Sequence, residues 1–351
     1  MSKTLAVVGG GVIGLAAAGR AARDGWSVTL YDPNVGSGAS WVAGGMLAPL
    51  SEGWPGEHEL LALGAQSLHR WPEFARSLGI DVFSASGSLT VALDAADAAD
   101  LRTIAEFVGQ QGHELEILDR ARIRELEPSL AQNIRLGLLA PTESAVDNRA
   151  LVNGLRAAAS SVRFVAEAVT DLAGLDADQI VVAAGAQTAS LLPGVPVRAV
   201  KGEILRLRRR PSAAPTPTRT IRGSVHGRPI YLVPRGDGLV VGATQYESGQ
   251  DTQVTVAGVR DLIADAERIM PSIGEYELHE TAAGLRPTSP DGLPLIGRIS
   301  DRVIVASGHG RNGILLTPIT TDAVSALLAG DTLPEAKAAD PARFSDWQGK
   351  Q

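Results

Sequence analysis

Apolar and polar positions follow two different periods along this chain, and the change of period marks its elements. Leu5-Ala6-Val7-Val8 is an unbroken apolar run, the pattern of a parallel strand buried on both faces. Glycines follow at Gly9, Gly11 and Gly14, then an Ala-rich helix over 15–22 and a second strand over 27–31 that ends on Asp32. Leu60, Leu61, Leu68 and Trp71 share one face of a helix over 57–71, which Pro72 is expected to break or kink, with 73–78 as a further short turn. Residues 81–91 read as strands around Gly87, 95–110 as an amphipathic helix, and 120–127 as a short one stopped by Pro128. Strand ends at 136–140 and 145–147 precede a helix over 148–159. The apolar run at 178–186 looks like the first sheet resumed after an excursion. An alternating strand begins at Lys201, and two apolar runs, 230–235 and 239–244, flank an Asp-Gly turn as a hairpin. A helix over 254–269 ends before Pro271. The strand, Gly-rich turn and helix of 303–329 repeat the logic of the opening, aiming a second helix N-terminus at the ligand.

The opening stretch carries chemistry. Gly9 permits a tight turn, Gly11 lets backbone approach a pyrophosphate, and Gly14 lets helix and strand pack closely. Asp32 is placed to accept hydrogen bonds from the adenosine ribose hydroxyls. The fingerprint does not choose between NAD and FAD. Residues 33–48 are too rich in Gly, Ala and Ser for a surface helix and too apolar for a solvated loop. They read either as a tightly packed buried loop or as one wrapped on the pyrophosphate and a flavin ring.

Length and composition narrow the picture. The chain's 351 residues suffice for about two cores. A net charge of −7 argues against a general nucleic-acid binder, despite the basic run at 208–210. The absence of cysteine excludes disulfides, thiolate metal sites, a cysteine nucleophile and a flavin tethered through sulfur. The first residues run straight into a strand with no signal-peptide pattern, and no apolar run approaches the ~18 residues of a membrane span. A cytoplasmic protein is expected, with no metal, no nucleic acid and no membrane as partner.

Several further stretches, taken in order with the opening glycines, carry a resemblance. They are Ala43-Gly44-Gly45-Met46-Leu47, Val181-Val182-Ala183-Ala184-Gly185, Tyr231-Leu232-Val233-Pro234-Arg235, and Gly242-Ala243-Thr244. Ala283-Gly284-Leu285-Arg286-Pro287 with 291–297, and Gly308-His309-Gly310-Arg311-Asn312-Gly313-Ile314-Leu315, complete the set. Nearly end to end, the chain resembles the FAD-dependent D-amino acid oxidase family, and within it the branch that oxidises glycine and is associated with making the thiazole of thiamine. The resemblance implies an α/β Rossmann-like FAD-binding domain, in segments 1–84, 143–200 and 283–351. An inserted antiparallel-sheet substrate domain, α+β in character, would occupy 85–142 and 201–282. It also implies non-covalent FAD, since no histidine follows the early Gly/Ala loop as covalent attachment requires.

By the same resemblance the cofactor contacts fall on Gly9, Gly11, Val12, Ile13, Gly14, Asp32, Pro33, Ala39, Ser40, Gly44, Gly45 and Met46. Val169 would meet the adenine, with Gly185 nearby. His309, Gly310, Arg311, Asn312, Gly313, Ile314 and Leu315 would form the turn on the flavin. Arg286 matches the carboxylate clamp, a guanidinium fork suited to two oxygens; the alternative is a structural ion pair with Asp291. Tyr231 would share the carboxylate or contact the amine, or simply pack in its sheet. Arg311 lies close to both flavin and substrate in the family, and either role stays open. Ala48, Gln245 and Tyr246 flank the pocket. Gly310 replaces an aromatic residue, and Trp41 stands where small residues are usual.

The activity implied is oxidation of glycine, or of another small primary or secondary amino acid, to its imine. O2 would be reduced to hydrogen peroxide, and the imine either hydrolysed to glyoxylate and ammonia or passed to thiazole synthase. A homo-oligomer is expected. Three alternatives stand beside this reading. One is a D-amino acid dehydrogenase, sarcosine oxidase or 2-hydroxy acid oxidase of the same fold. Another is a flavin-binding component of a complex or of a tRNA-modifying system, which the acidic charge disfavours. The last is a NAD-dependent dehydrogenase, which leaves the later stretches unexplained.

Overall fold

The computed structural model describes residues 3–344. Strand Thr4–Val8 lies inside a six-stranded sheet, between Ser27–Tyr31 and Gln179–Val182. Arg163–Val165 closes one edge, and Val303–Ser307 followed by Leu295–Arg298 closes the other. All pairings are parallel except that of the last two strands. Side-chain alternation explains the unbroken apolar run. Leu5 and Val7 enter one core with Leu15, Leu30 and Ile319, while Ala6 and Val8 enter another with Val182, Leu192 and Val305. Helix Val12–Arg23 buries Ala16, Ala17, Ala18 and Ala21, and these small side chains let helices Asn148–Ala158 and Thr317–Ala329 pack against it.

A second sheet holds nine strands. In order they are Glu277–Thr288, Arg198–Arg208, Gly238–Gly242, Arg228–Arg235, Thr220–Val225, Phe83–Ala92, Leu136–Val146 and Met46–Leu47, with Glu116–Leu118 also paired to Leu136–Val146. It is antiparallel apart from the pairing of Thr220–Val225 with Phe83–Ala92. The expected hairpin is present, its strands joined at Gly236 and Asp237. Gly87, at φ 81°, sits at a register shift within one continuous strand, and the two strand ends expected at 136–147 are likewise one strand.

Two expectations are corrected. Pro72 does not end its helix, which runs from His58 to Ser77. A proline inside a helix costs about 3 kcal/mol, and here side chains on both sides of it are anchored. Trp71 is buried and donates from Nε1 to the Leu315 carbonyl at 2.9 Å, Phe74 packs edge-on against Trp71, and Ala75 is buried one turn on. The Gly/Ala/Ser-rich stretch also contains a short helix, Ala39–Val42, whose Val42 packs on the second sheet. Among the described residues no helix is long and apolar enough to cross a membrane.

Where the early loop meets the second sheet, Glu143 is 1 % exposed and accepts four hydrogen bonds. Its donors are the N–H groups of Leu50 and Ser51 and the hydroxyls of Ser51 and Ser88, at 2.7–2.8 Å. Glu143→Ala strands these buried donors and is expected to lower unfolding free energy by about 1–3 kcal/mol, measured by denaturant titration, with Glu143→Gln losing less.

Candidate functional site

A cavity of about 970 Å³ runs from the first Gly-rich turn to the face of the second sheet, at the large end of the roughly 300–1,000 Å³ typical of small-molecule sites. At one end the backbone is built for a phosphate. Gly9 has φ 108°, and a Cβ there would overlap the Ala183 carbonyl. Helix Val12–Arg23 begins at Gly11 with no side-chain cap and no acid in its first turn, so its positive end is left for an anion. Ser40 Oγ takes the Val12 N–H at 3.1 Å. Asp32 accepts from the Gly10 N–H at 2.6 Å and the Asn34 N–H at 2.7 Å. Two of the roughly four lone-pair positions on a carboxylate are thereby used to fix it, and Asp32 lines the cavity with the rest available to further donors.

Pro33, Ala39, Gly44, Gly45, Met46, Val169 and Gly185 also line the cavity. The turn from His309 to Ile314 also lines it, whereas helix Thr317–Ala329 starts only after Leu316; the turn, not the helix end, meets the cavity. Gly310 has φ 55°, and a Cβ there would meet only Thr288 Oγ1, at 3.9 Å. His309 is 2 % exposed, its Nε2 lies 3.0 Å from Thr320 Oγ1, and burial pushes its pKa down to about 3. The ring is neutral at physiological pH.

At the far end, strand Glu277–Thr288 brings Arg286 across Gly202, where any Cβ would overlap the guanidinium. Arg286 Nη1 donates to the Thr244 carbonyl at 3.2 Å, and among the described residues no carboxylate lies within 4 Å of it. Asp291 instead pairs with Arg343 at 2.7 Å, which removes the structural ion pair considered above. Tyr231 packs between Gly44 and Gly242, and burial raises its hydroxyl's pKa. Glu52 lies between two guanidiniums: Arg222 Nη2 is 2.8 Å from its Oε1, and Arg311 Nε donates to its Oε2. Burial by itself would raise the Glu52 pKa; Arg222 and Arg311 outweigh it and hold the carboxyl below the usual range. The cavity therefore joins an anion cradle and a diol acceptor to an unpaired guanidinium, with a flat, glycine-lined passage between them.

These residues fit FAD, and comparison with known proteins agrees. The profile for FAD dependent oxidoreductases (DAO) matches residues 4–327. The chain belongs to the FAD-dependent oxidoreductase family. It is 34 % identical over 338 residues to a putative thiamine biosynthesis oxidoreductase ThiO from Rhizobium etli, covering 95 % of this chain and 98 % of that one. It is 33 % identical to the bifunctional protein ThiO/ThiG of Synechocystis sp. over 96 % of this chain, and spans only 53 % of that longer protein. Among solved structures, glycine oxidase from Geobacillus kaustophilus superposes with a TM-score of 0.89 at 30 % identity, covering 97 % of this chain and 99 % of that one.

Most family residues expected from sequence line the cavity, including Gly9, Gly11, Val12, Ile13, Asp32, Ser40, Asn312, Gly313, Tyr231, Gln245, Arg286 and Arg311. Three do not. Gly14 lies under the Gly9 carbonyl and serves helix–strand packing. Ala48 is buried, and Leu315 is buried with its carbonyl taken by Ser67 and Trp71. Trp41 carries Arg149, whose guanidinium sits 4.7 Å from its ring centroid, and Tyr246 is half-exposed, its backbone paired with Lys201. Sequence reasoning missed Glu52, Arg222 and Gly202, none of which belongs to a recognisable local pattern.

A histidine whose pKa is lower in the folded chain than unfolded favours folding above about pH 6.5, and that contribution is lost as pH falls toward 3. At pH 5 the loss from His309 is expected to be roughly 2 kcal/mol relative to pH 8. His309→Gln should flatten this part of the stability–pH profile, measured by thermal unfolding across the range.

Proposed function

We propose that this chain oxidises glycine, or a similarly small primary or secondary amino acid, to its imine. The observation that carries the reading is Arg286, a guanidinium facing the cavity with no acid beside it. A fork of N–H donors in that state is suited to a substrate carboxylate held through both oxygens. Tyr231, with no hydrogen-bond partner among the described residues, supports it as a donor to the carboxylate or a neighbour of the amine. FAD held in this cavity would supply the hydride acceptor and the route by which the electron pair reaches O2 to give hydrogen peroxide.

Hydride leaves the substrate α-carbon only from the neutral amine, so the chain's task is to hold the carboxylate, keep the α-carbon against the ring and exclude bulk water. Hydride transfer would remove two electrons and one proton and leave the protonated imine, whose second proton goes to water, and hydrolysis then gives glyoxylate and ammonia. No general base is required of the protein. The names of the Rhizobium and Geobacillus relatives support this substrate class and a place in thiamine biosynthesis. The ThiO/ThiG fusion in Synechocystis supports transfer of the imine to a thiazole synthase. We also assign Gln245 to the substrate end, Val169 to the adenine end, and the segments 1–84, 143–200 and 283–351 to FAD binding.

The test is anaerobic titration of the yellow protein with glycine. Bleaching of the flavin absorbance, restored by air with peroxide formed, is expected, and a yellow protein indifferent to glycine and other small amino acids contradicts the proposal. Arg286→Ala is expected to raise the half-saturating glycine concentration roughly 100-fold, as for loss of a charged hydrogen-bonded pair, with FAD content retained.

A further inference from the structure

Three guanidiniums and one buried carboxylate line the substrate end of the cavity: Arg222, Arg286, Arg311 and Glu52. They are not equivalent. Both Glu52 oxygens are engaged, one by Arg222 Nη2 at 2.8 Å and the other by Arg311 Nε, while Arg222 Nη1 donates to Ser51 Oγ at 3.1 Å. Ser51 is in turn fixed by Glu143, so the loop carrying Glu52 is held from beneath. Glu52 thus engages Arg222 and Arg311 directly and reaches Arg286 only through its charge, leaving Arg286 as the cation that no carboxylate contacts. The negative charge of Glu52 stands in the same cavity on a side chain only 10 % exposed, so a second anion there is repelled more strongly than in bulk water.

We propose that Glu52 is a specificity-determining residue, which restricts the site to substrates with one acidic group. A second carboxylate entering the cavity meets the Glu52 charge and finds Arg222 and Arg311 already paired. Removing that charge frees Arg222, leaves Arg311 with only the looser Glu57 contact at 3.9 Å, and turns the same cavity into a site for a dicarboxylate. The proposal rests on Arg286 as the carboxylate anchor, and its test separates the two.

The experiment titrates the FAD-loaded protein with glycolate, one carboxylate on the glycine skeleton, and with malonate, which carries two, following the flavin absorbance change. The wild type is expected to prefer glycolate. Glu52→Gln should shift the ratio of the two dissociation constants at least tenfold toward malonate. Glu52→Asp, which keeps the charge, should hold that ratio within about threefold of wild type. Flavin content and thermal unfolding show that each variant is folded, and the ratio is unaffected by a uniform loss of affinity. An unchanged ratio in Glu52→Gln, or an equal shift in Glu52→Asp, overturns the proposal while Arg286 stands. Failure of the wild type to bind either acid, or glycolate binding unchanged in Arg286→Lys, overturns both.

Discussion

The backbone at Gly44 and Gly45 is held by two strands of the second sheet, Leu136–Val146 and Arg228–Arg235, and the glycine-rich wall of the cavity is fixed against them. Gly45 has φ 82° and lies so close to Val146 that a Cβ would overlap its carbonyl. The Val146 N–H returns a hydrogen bond to Gly45 at 2.8 Å. Arg235 bonds this point across the second sheet, donating to the Gly44 carbonyl at 2.7 Å, the Val146 carbonyl at 2.6 Å and Ser84 Oγ at 2.9 Å. Burial lowers its pKa to about 10, which leaves it charged at neutral pH. Tyr231, on the same strand and the same face, is pressed against Gly44, where a Cβ would come within 2.9 Å of its ring. A side chain larger than hydrogen at either glycine would push the flavin side of the cavity away from the residues meant to meet the substrate.

From this junction the charge arrangement follows. The cavity is lined by Asp32 near its nucleotide end and by three arginines at its other end, and only one of those three lacks an acid. Arg286 reaches its place because position 202 is glycine, and it stays unpaired because Asp291 is claimed by Arg343. Arg286 is half-buried and no carboxylate touches it, so an arriving carboxylate finds its charge uncompensated by a direct partner.

How much of this was legible depends on how local each cause is. The first strand, its glycines, Asp32 and helix Thr317–Ala329 carry signatures that sit within a few residues of one another, and the sequence pattern displays them although their partners are distant. The strand Glu277–Thr288 was not seen as one. It begins with Glu277, Leu278 and His279 at the sheet's edge, where solvent removes the alternation that marks a half-buried strand. Pro72 misled because tertiary anchoring of Trp71 overrides a local rule. Glu52, Arg222 and Gly202 were invisible for a further reason: each acts on a residue distant in sequence, and no single-sequence period encodes such a meeting.

The most direct measurement is a crystal structure of the FAD-loaded protein with glycolate bound. The expected result places the carboxylate on both terminal nitrogens of Arg286, the α-carbon against the flavin ring, and Glu52 still bridging Arg222 and Arg311. A carboxylate seated on Arg311 or Arg222, with Arg286 untouched, would contradict the account.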